Sequence, residues 1–319
     1  MPGRRPRVLV AAIAAAATFG ARAGLDAAVH PSLRDRAHPS LRDPAHPSLR
    51  DAARWTRTNH RGDAVSLLEG PATAAGLLVG AAICGARGSA ACDTSRRVAL
   101  GAAVATAGAA AFGLVDDLTE DEESRTKGLR GHLGALARGQ LTTGGLKVLG
   151  IGACALVAAA LVTPARAPAG RSCGRAAFLA DVAASGALIA ATANLVNLLD
   201  LRPGRALKAA GLAAVPFALA GGPGAPLAAG VVGAAAGSLR ADLAERDMLG
   251  DGGANALGAL LGTAVAVSAP RPLRNLLLAG AVALTLASER VSFTKVIATT
   301  PELRELDAWG RRAAEVVPE

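Results

Sequence analysis

The sequence predicts an all-α, polytopic membrane protein of about nine transmembrane helices. Three observations carry that prediction. The chain has 319 residues, 51% of them hydrophobic. That fraction alone decides little, since soluble domains reach similar values. The arrangement decides it: apolar stretches long enough to cross a bilayer recur, separated by short charged links. Glycine is abundant, at 38 residues, and aromatics reach only 2%; small residues let helices approach closely in lipid. Finally, Lys and Arg concentrate in alternate links.

Residues 1–7 are basic and 8–23 apolar. The Ala21-Arg22-Ala23 end also fits a signal peptide, but with so many later spans an uncleaved first helix within residues 1–28 is expected. Residues 29–66 form a link with a tandem octapeptide repeat: VHPSLRD, AHPSLRD and AHPSLRD start at Val29, Ala37 and Ala45. His30, His38 and His46 each precede a proline, which prevents one continuous helical face for a metal. The repeat is expected to be a flexible spacer with no catalytic role.

Further spans are expected at 67–86, 98–115, 144–162, 176–199, 206–220, 225–239, 252–268 and 273–287, so that residues 67–290 form one multi-span core. Gly221-Gly222-Pro223-Gly224 supplies a tight turn between the sixth and seventh spans. The tail, 291–319, has no crossing segment. Thr300 suits a helix cap, Pro301 its first position and Arg311-Arg312 its end. Leu303, Leu306 and Trp309 recur every three residues, which predicts an amphipathic helix on a membrane surface or against the other loops.

Orientation follows from the basic residues. With the link after the third span placed inside, the inside links carry 21 Lys and Arg and the outside links 11. The N-terminus is then outside and the tail cytoplasmic. Net charge is +9, yet Tyr is absent. A nucleic-acid binder would want aromatic platforms beside its basic patches. Anionic lipid headgroups and anionic substrates explain the charge better, so membrane lipids are expected partners and nucleic acid is not. Cys84, Cys92, Cys154 and Cys173 lack the spacing of a zinc site; Cys92 and Cys173 fall in two outer links, where a disulfide is open to them.

The polar clusters all fall on the inside. The third span ends in Asp116-Asp117-Leu118-Thr119-Glu120-Asp121-Glu122-Glu123, six acids in eight residues, followed by Lys127. Acids packed this densely where a membrane helix meets water invite a cation, and hard oxygen ligands suit Mg²⁺. A solvated loop start is the bland alternative. Asn194, Asn197 and Asp200 end the fifth span at a spacing of three, on one broad face. Asp251 opens the eighth, with Asn255 one turn along; alone, Asp251 also reads as a helix N-cap. Ser288, Glu289, Arg290 and Lys295 follow the ninth. Four such clusters on one membrane face point to a site.

GLVDDL followed by KGL, then NLVNLLD, then MLGDGGANALG, resemble in order the cytoplasmic motifs of the polyprenyl-phosphate N-acetylhexosamine-1-phosphate transferases. These include phospho-N-acetylmuramoyl-pentapeptide transferase and the GlcNAc-1-phosphate transferases. The resemblance covers about residues 54–297. It implies a multi-pass cell-membrane enzyme with cytoplasmic catalytic loops. Such an enzyme transfers a phospho-sugar from a UDP-sugar to undecaprenyl or a similar polyprenyl phosphate, with Mg²⁺, in peptidoglycan or other cell-wall polymer synthesis.

By that resemblance Asp116, Asp117 and Asp200 are catalytic, and Asp251 with Asp117 holds the metal. Lys127, Asn194, Asn197, Asn255 and Lys295 contact substrate, and a homodimer is one assembly it allows. The family's last-loop histidine cluster is absent from SERVSFTKVIATTPELR. No second acid follows Asp200 in LRPGRALK, and the further lysine expected after KGL is replaced, with Arg130, His132 and Arg138 nearby. The family's usual tenth span is missing. The alternatives are a non-catalytic relative that binds lipid phosphate or serves as a membrane scaffold, and a transporter. The latter would want charges in mid-span, where the sequence offers few.

Overall fold

A computed structural model describes residues 4–29, 52–59, 61–86, 93–119, 142–164 and 174–312. Among these the chain is helical almost throughout. The helices are α1 (Arg4–Val29), α2 (Glu69–Ala86), α3 (Asp93–Thr119), α4 (Thr143–Val162), α5 (Arg175–Leu199), α6 (Arg205–Ala220), α7 (Ala225–Leu243), α8 (Gly250–Ser268), α9 (Arg271–Ser288), α10 (Phe293–Thr299) and α11 (Pro301–Ala308). Each of the nine apolar stretches coincides with one of α1–α9. Five helices, α1 to α5, are long and apolar enough to cross a membrane by themselves, and α9 with α10 passes the same measure only as a pair bent by 97°.

The helices run alternately up and down. At one end Arg7 of α1 donates to the carbonyls of Ala218 and Leu219 at the close of α6, and Arg271 and Arg274 of α9 pair with Asp181 of α5. At the other end Arg22 pairs with Asp247, and the starts of α2, α4, α6 and α8 meet the ends of α1, α3, α5 and α7.

Helix α8 is the centre. Residues 252–265 along it are all buried, and it packs against α2, α3, α5, α6 and α7. Such approach requires small residues. A Cβ on Gly258 would meet the backbone of Thr192 and Ala193, and one on Gly113 would meet the backbone of Asp251 and Gly252. Mid-bundle, the Thr73 and Ser238 hydroxyls bond at 2.6 Å, which satisfies both polar groups where no water replaces the partner.

Two details depart from expectation. The link before α2 contains a short antiparallel hairpin, β1 (Thr56–Thr58) with β2 (Ala64–Ser66). Its turn is organised by the Asn59 side chain, which accepts from the amides of Arg61 and Asp63. The tail is two helices, broken at Thr300, whose extended backbone is what the residue before a proline adopts. Thr300 stands at the cap position, but its hydroxyl donates back to the carbonyl of Val296. Arg311 lies beyond the helix and turns back to Asp307 and the carbonyl of Pro203. Cys84 and Cys154 are free; the repeat, Cys92, Cys173, Arg130, His132 and Arg138 lie outside the described residues.

Candidate functional site

The site is assembled on the first turn of α8. The leading amides of an α-helix have no intrahelical partner and carry the positive end of its dipole. Leu249, the residue before α8, supplies no capping side chain. An acid from elsewhere does so. Asp117, on the last turn of α3, accepts from the amides of Asp251 at 3.0 Å and Gly252 at 2.9 Å. Asp200, directly after α5, stands beside the same helix start, near enough for the Gly250 amide to bear on its carboxyl. Gly250 has φ +63°, and a Cβ there would crowd both Asp117 and Leu67; glycine meets both demands. Asp251 is therefore not the N-cap of α8 but a first-turn residue whose helix is capped by Asp117.

That arrangement frees the Asp251 carboxylate. It turns to Lys147 Nζ, as does Asp116, whose oxygen lies 2.5 Å from the same nitrogen. Two oxygens sharing one ammonium nitrogen lie no farther apart than two hydrogen-bond lengths, roughly 6 Å. Lys147 is set by the start of α4, where Thr142 caps the amide of Gly145 at 3.0 Å. Arg57 of β1 donates to the Asp117 carbonyl, so the hairpin closes one side of the cluster.

On its other side the cluster opens into a groove of about 250 Å³ between α4, α5 and α9, lined by Lys147, Asn194 and Asn255 and by apolar residues including Ile151, Val282 and Leu286. Asn255 donates to the Asp251 carbonyl at 2.8 Å, and Asn194 to the Thr285 hydroxyl at 3.3 Å.

The predicted residues thus divide. Asp116, Asp117, Asp200, Asp251 and Asn255 come together, and Asn194 lies along the same groove. Asn197 is turned inward, its Oδ1 buried without a protein partner. Lys295 is exposed on α10, and the ion pairs of the cluster do not include it. Lys127 and Glu120 to Glu123 lie outside the described residues.

Behind Asp200 is a second group of acids that sequence reasoning missed. Glu69 opens α2 at 1% exposure, and neither of its oxygens has a partner. Asp242 is also buried and accepts from the amide of Gly204 at 3.0 Å. Asp247 takes both arms of Arg22, at 2.7 and 3.0 Å. Burial, and then the charges of Asp242, Asp251 and Asp117, push the Asp200 carboxyl well above the usual carboxylate range. Asp200 is thus a weak acid beside the start of α8.

Among the described residues, no group of three or more His, Cys, Asp and Glu side chains is arranged around one metal position. Mg²⁺ does not require one, because it keeps several waters and is held by one or two carboxylates plus substrate phosphates. Asp116 and Asp251 supply such a pair of hard oxygens, already facing one cationic nitrogen. The Asp117–Asp251 pair expected from sequence meets differently, through the Asp117 carboxylate and the α8 backbone. No protein-family model matches the chain, and no curated protein does.

Proposed function

We propose that the chain is a magnesium-dependent membrane transferase that passes a phospho-sugar from a UDP-sugar to a polyprenyl phosphate, with release of UMP, in cell-envelope polymer synthesis. The observation that carries this reading is the meeting of Asp116, Asp251 and Lys147 at the mouth of an apolar groove. In this reading α1–α9 are nine crossings of the cell membrane, and the cluster faces the cytoplasm.

Each part of the site then has a task. The groove takes the prenyl chain. Lys147, at its mouth, meets the lipid phosphate as a point charge. Asp116 and Asp251 hold Mg²⁺, which when bound neutralises the phosphates so that two anionic reactants can approach. Asp117 acts through the backbone of α8 and fixes Asp251 in place, with Asp200 beside the same helix start. Asn194 and Asn255 line the path between the charged cluster and the groove.

One observation favours a second reading. Lys147 sits between the two acids, and a lysine that stays there excludes a metal. The chain would then be a non-catalytic relative that binds lipid phosphate. The experiment that separates the two is UMP release from a panel of UDP-sugars by purified protein with undecaprenyl phosphate and Mg²⁺. Under the transferase reading Asp251→Asn abolishes Mg²⁺-dependent release in a protein that remains folded and inserted. Asp117→Asn lowers both release and stability, since an amide offers one acceptor oxygen in place of two. Ser66→Ala does little. Binding of the lipid phosphate without release from any donor would support the second reading.

A further inference from the structure

Among the described residues α9 packs mainly against α5. Arg274 and Ala281 are its buried residues, while Leu276 and Leu284 are exposed. After Ser288 the chain bends by 97° into α10, and α11 follows. Neither short helix buries a residue.

The tail is nevertheless firmly held. Arg205, at the start of α6, grips the Asp307 carboxylate at 2.8 and 3.0 Å and also donates to the Thr294 hydroxyl at 3.0 Å. Lys208 donates to the carbonyls of Leu306, Asp307 and Trp309 at 2.9, 2.6 and 3.1 Å, capping the end of α11. Both cations are buried. One edge of the tail is therefore fixed to the bundle, beside the link that follows Asp200.

What the tail leaves outside is of three kinds. Val291, Val296, Leu303, Leu306 and Trp309 are exposed, Trp309 at 66%. Arg290, Lys295 and Arg304 are exposed beside them, and so are Glu289, Glu302 and Glu305. Apolar surface of this extent on a pinned segment marks an interaction face. Its position identifies the partner. The segment turns off the outward-facing end of an apolar helix and carries a tryptophan at its tip, the residue type that sits at headgroup level.

We propose that residues 289–309 form a foot seated in the headgroup layer of the membrane. The apolar residues enter the acyl boundary, and the mixed charges of Arg290, Lys295, Arg304, Glu289, Glu302 and Glu305 meet the headgroups. The Arg205 and Lys208 contacts fix the height of the foot against α6, so that the Asp200 end of the site is held level with the lipid phosphates. This assignment is independent of any transferase activity.

The test uses the chain's own fluorescence. It has two tryptophans, and Trp55 is buried in the packing of the hairpin end. Subtracting the spectrum of Trp309→Phe from that of the unaltered protein isolates Trp309 without touching Trp55. The full chain is reconstituted in vesicles of equal parts phosphatidylcholine and phosphatidylglycerol, with bromines placed shallow or deep in the acyl chains. A ring seated ~5–10 Å into the boundary is reached by shallow bromines, so Trp309 emission should fall roughly twofold there and less with deep ones. Iodide in the buffer should have little effect. Leu306→Asp should abolish the bromine quenching while the protein melts as before. Iodide quenching without bromine quenching would place Trp309 in water and overturn the proposal. Protection from both quenchers would seat it against protein and overturn it equally.

Discussion

Lys147 is the residue on which the charged cluster depends. Two carboxylates face it, and with an apolar side chain in its place they would face each other. Lys147→Met should therefore cost roughly 2–3 kcal/mol, short of the ~3–5 kcal/mol for a fully buried pair, because Asp251 keeps 29% of its surface exposed. Added Mg²⁺ should restore much of the loss. The measurement is the detergent-solubilised melting temperature with and without Mg²⁺. Equal Mg²⁺ shifts in the variant and the unaltered protein would mean that the acids do not share a cation position. Asp116, Asp117 and Asp251 are recognisable in the sequence as acids where apolar stretches meet polar links. Lys147 is not, because one lysine a turn inside an apolar stretch reads as a side chain reaching for the interface. Its partners lie 31 and 104 residues away. Glu69 and Asp242 escape notice for the same reason: each is a single acid beside an apolar run, and only the bundle makes them neighbours.

Helix positions follow from apolar run length, and so all nine stretches reappear as α1–α9. The ends do not follow, because a helix continues past its apolar part wherever polar residues find partners. α3 extends at both ends beyond 98–115, and its added turn carries Asp117 to α8. The hairpin is too short for a periodic signal, and the break between α10 and α11 rests on Thr300-Pro301. Two consequences belong to these elements. Gly113→Ala would drive a methyl into the Asp251 carbonyl. It should cost about 1–3 kcal/mol by overpacking and, under the proposed transferase reading, should lower Mg²⁺-dependent turnover more than Gly280→Ala, which meets nothing; melting curves and UMP release check both.

The tail responds to acid. Burial alone would raise Asp307, but its hydrogen bonds to Arg205 and Arg311 and their charges hold it below the ordinary carboxylate value. A lowered acid stabilises the docked state fully above its unfolded value of about 3.9, and that contribution is lost as pH falls through the lower docked value. Protease cleavage within 300–312 should accelerate only in that acid range, and Asp307→Asn should remove the pH dependence.

The bundle places the 52–66 link, the end of α3 and the tail together. Arg57 reaches Asp117, and Arg312 pairs with Asp63 at 3.2 Å. With the native cysteines replaced, Ser48→Cys, Ser124→Cys and Arg312→Cys should label from one side of a vesicle and Pro223→Cys from the other. Labelling of Ser124→Cys from the side of Pro223→Cys would break the alternating arrangement. The close passage of Gly80 on α2 against Gly230 on α7 is repeated wherever glycine and alanine line the helix contacts. Such residues have no side-chain torsions to fix on burial, whereas longer side chains surrender up to ~1.5–2 kcal/mol each. Helices that meet through them thus reach a single arrangement while giving up mainly rigid-body freedom.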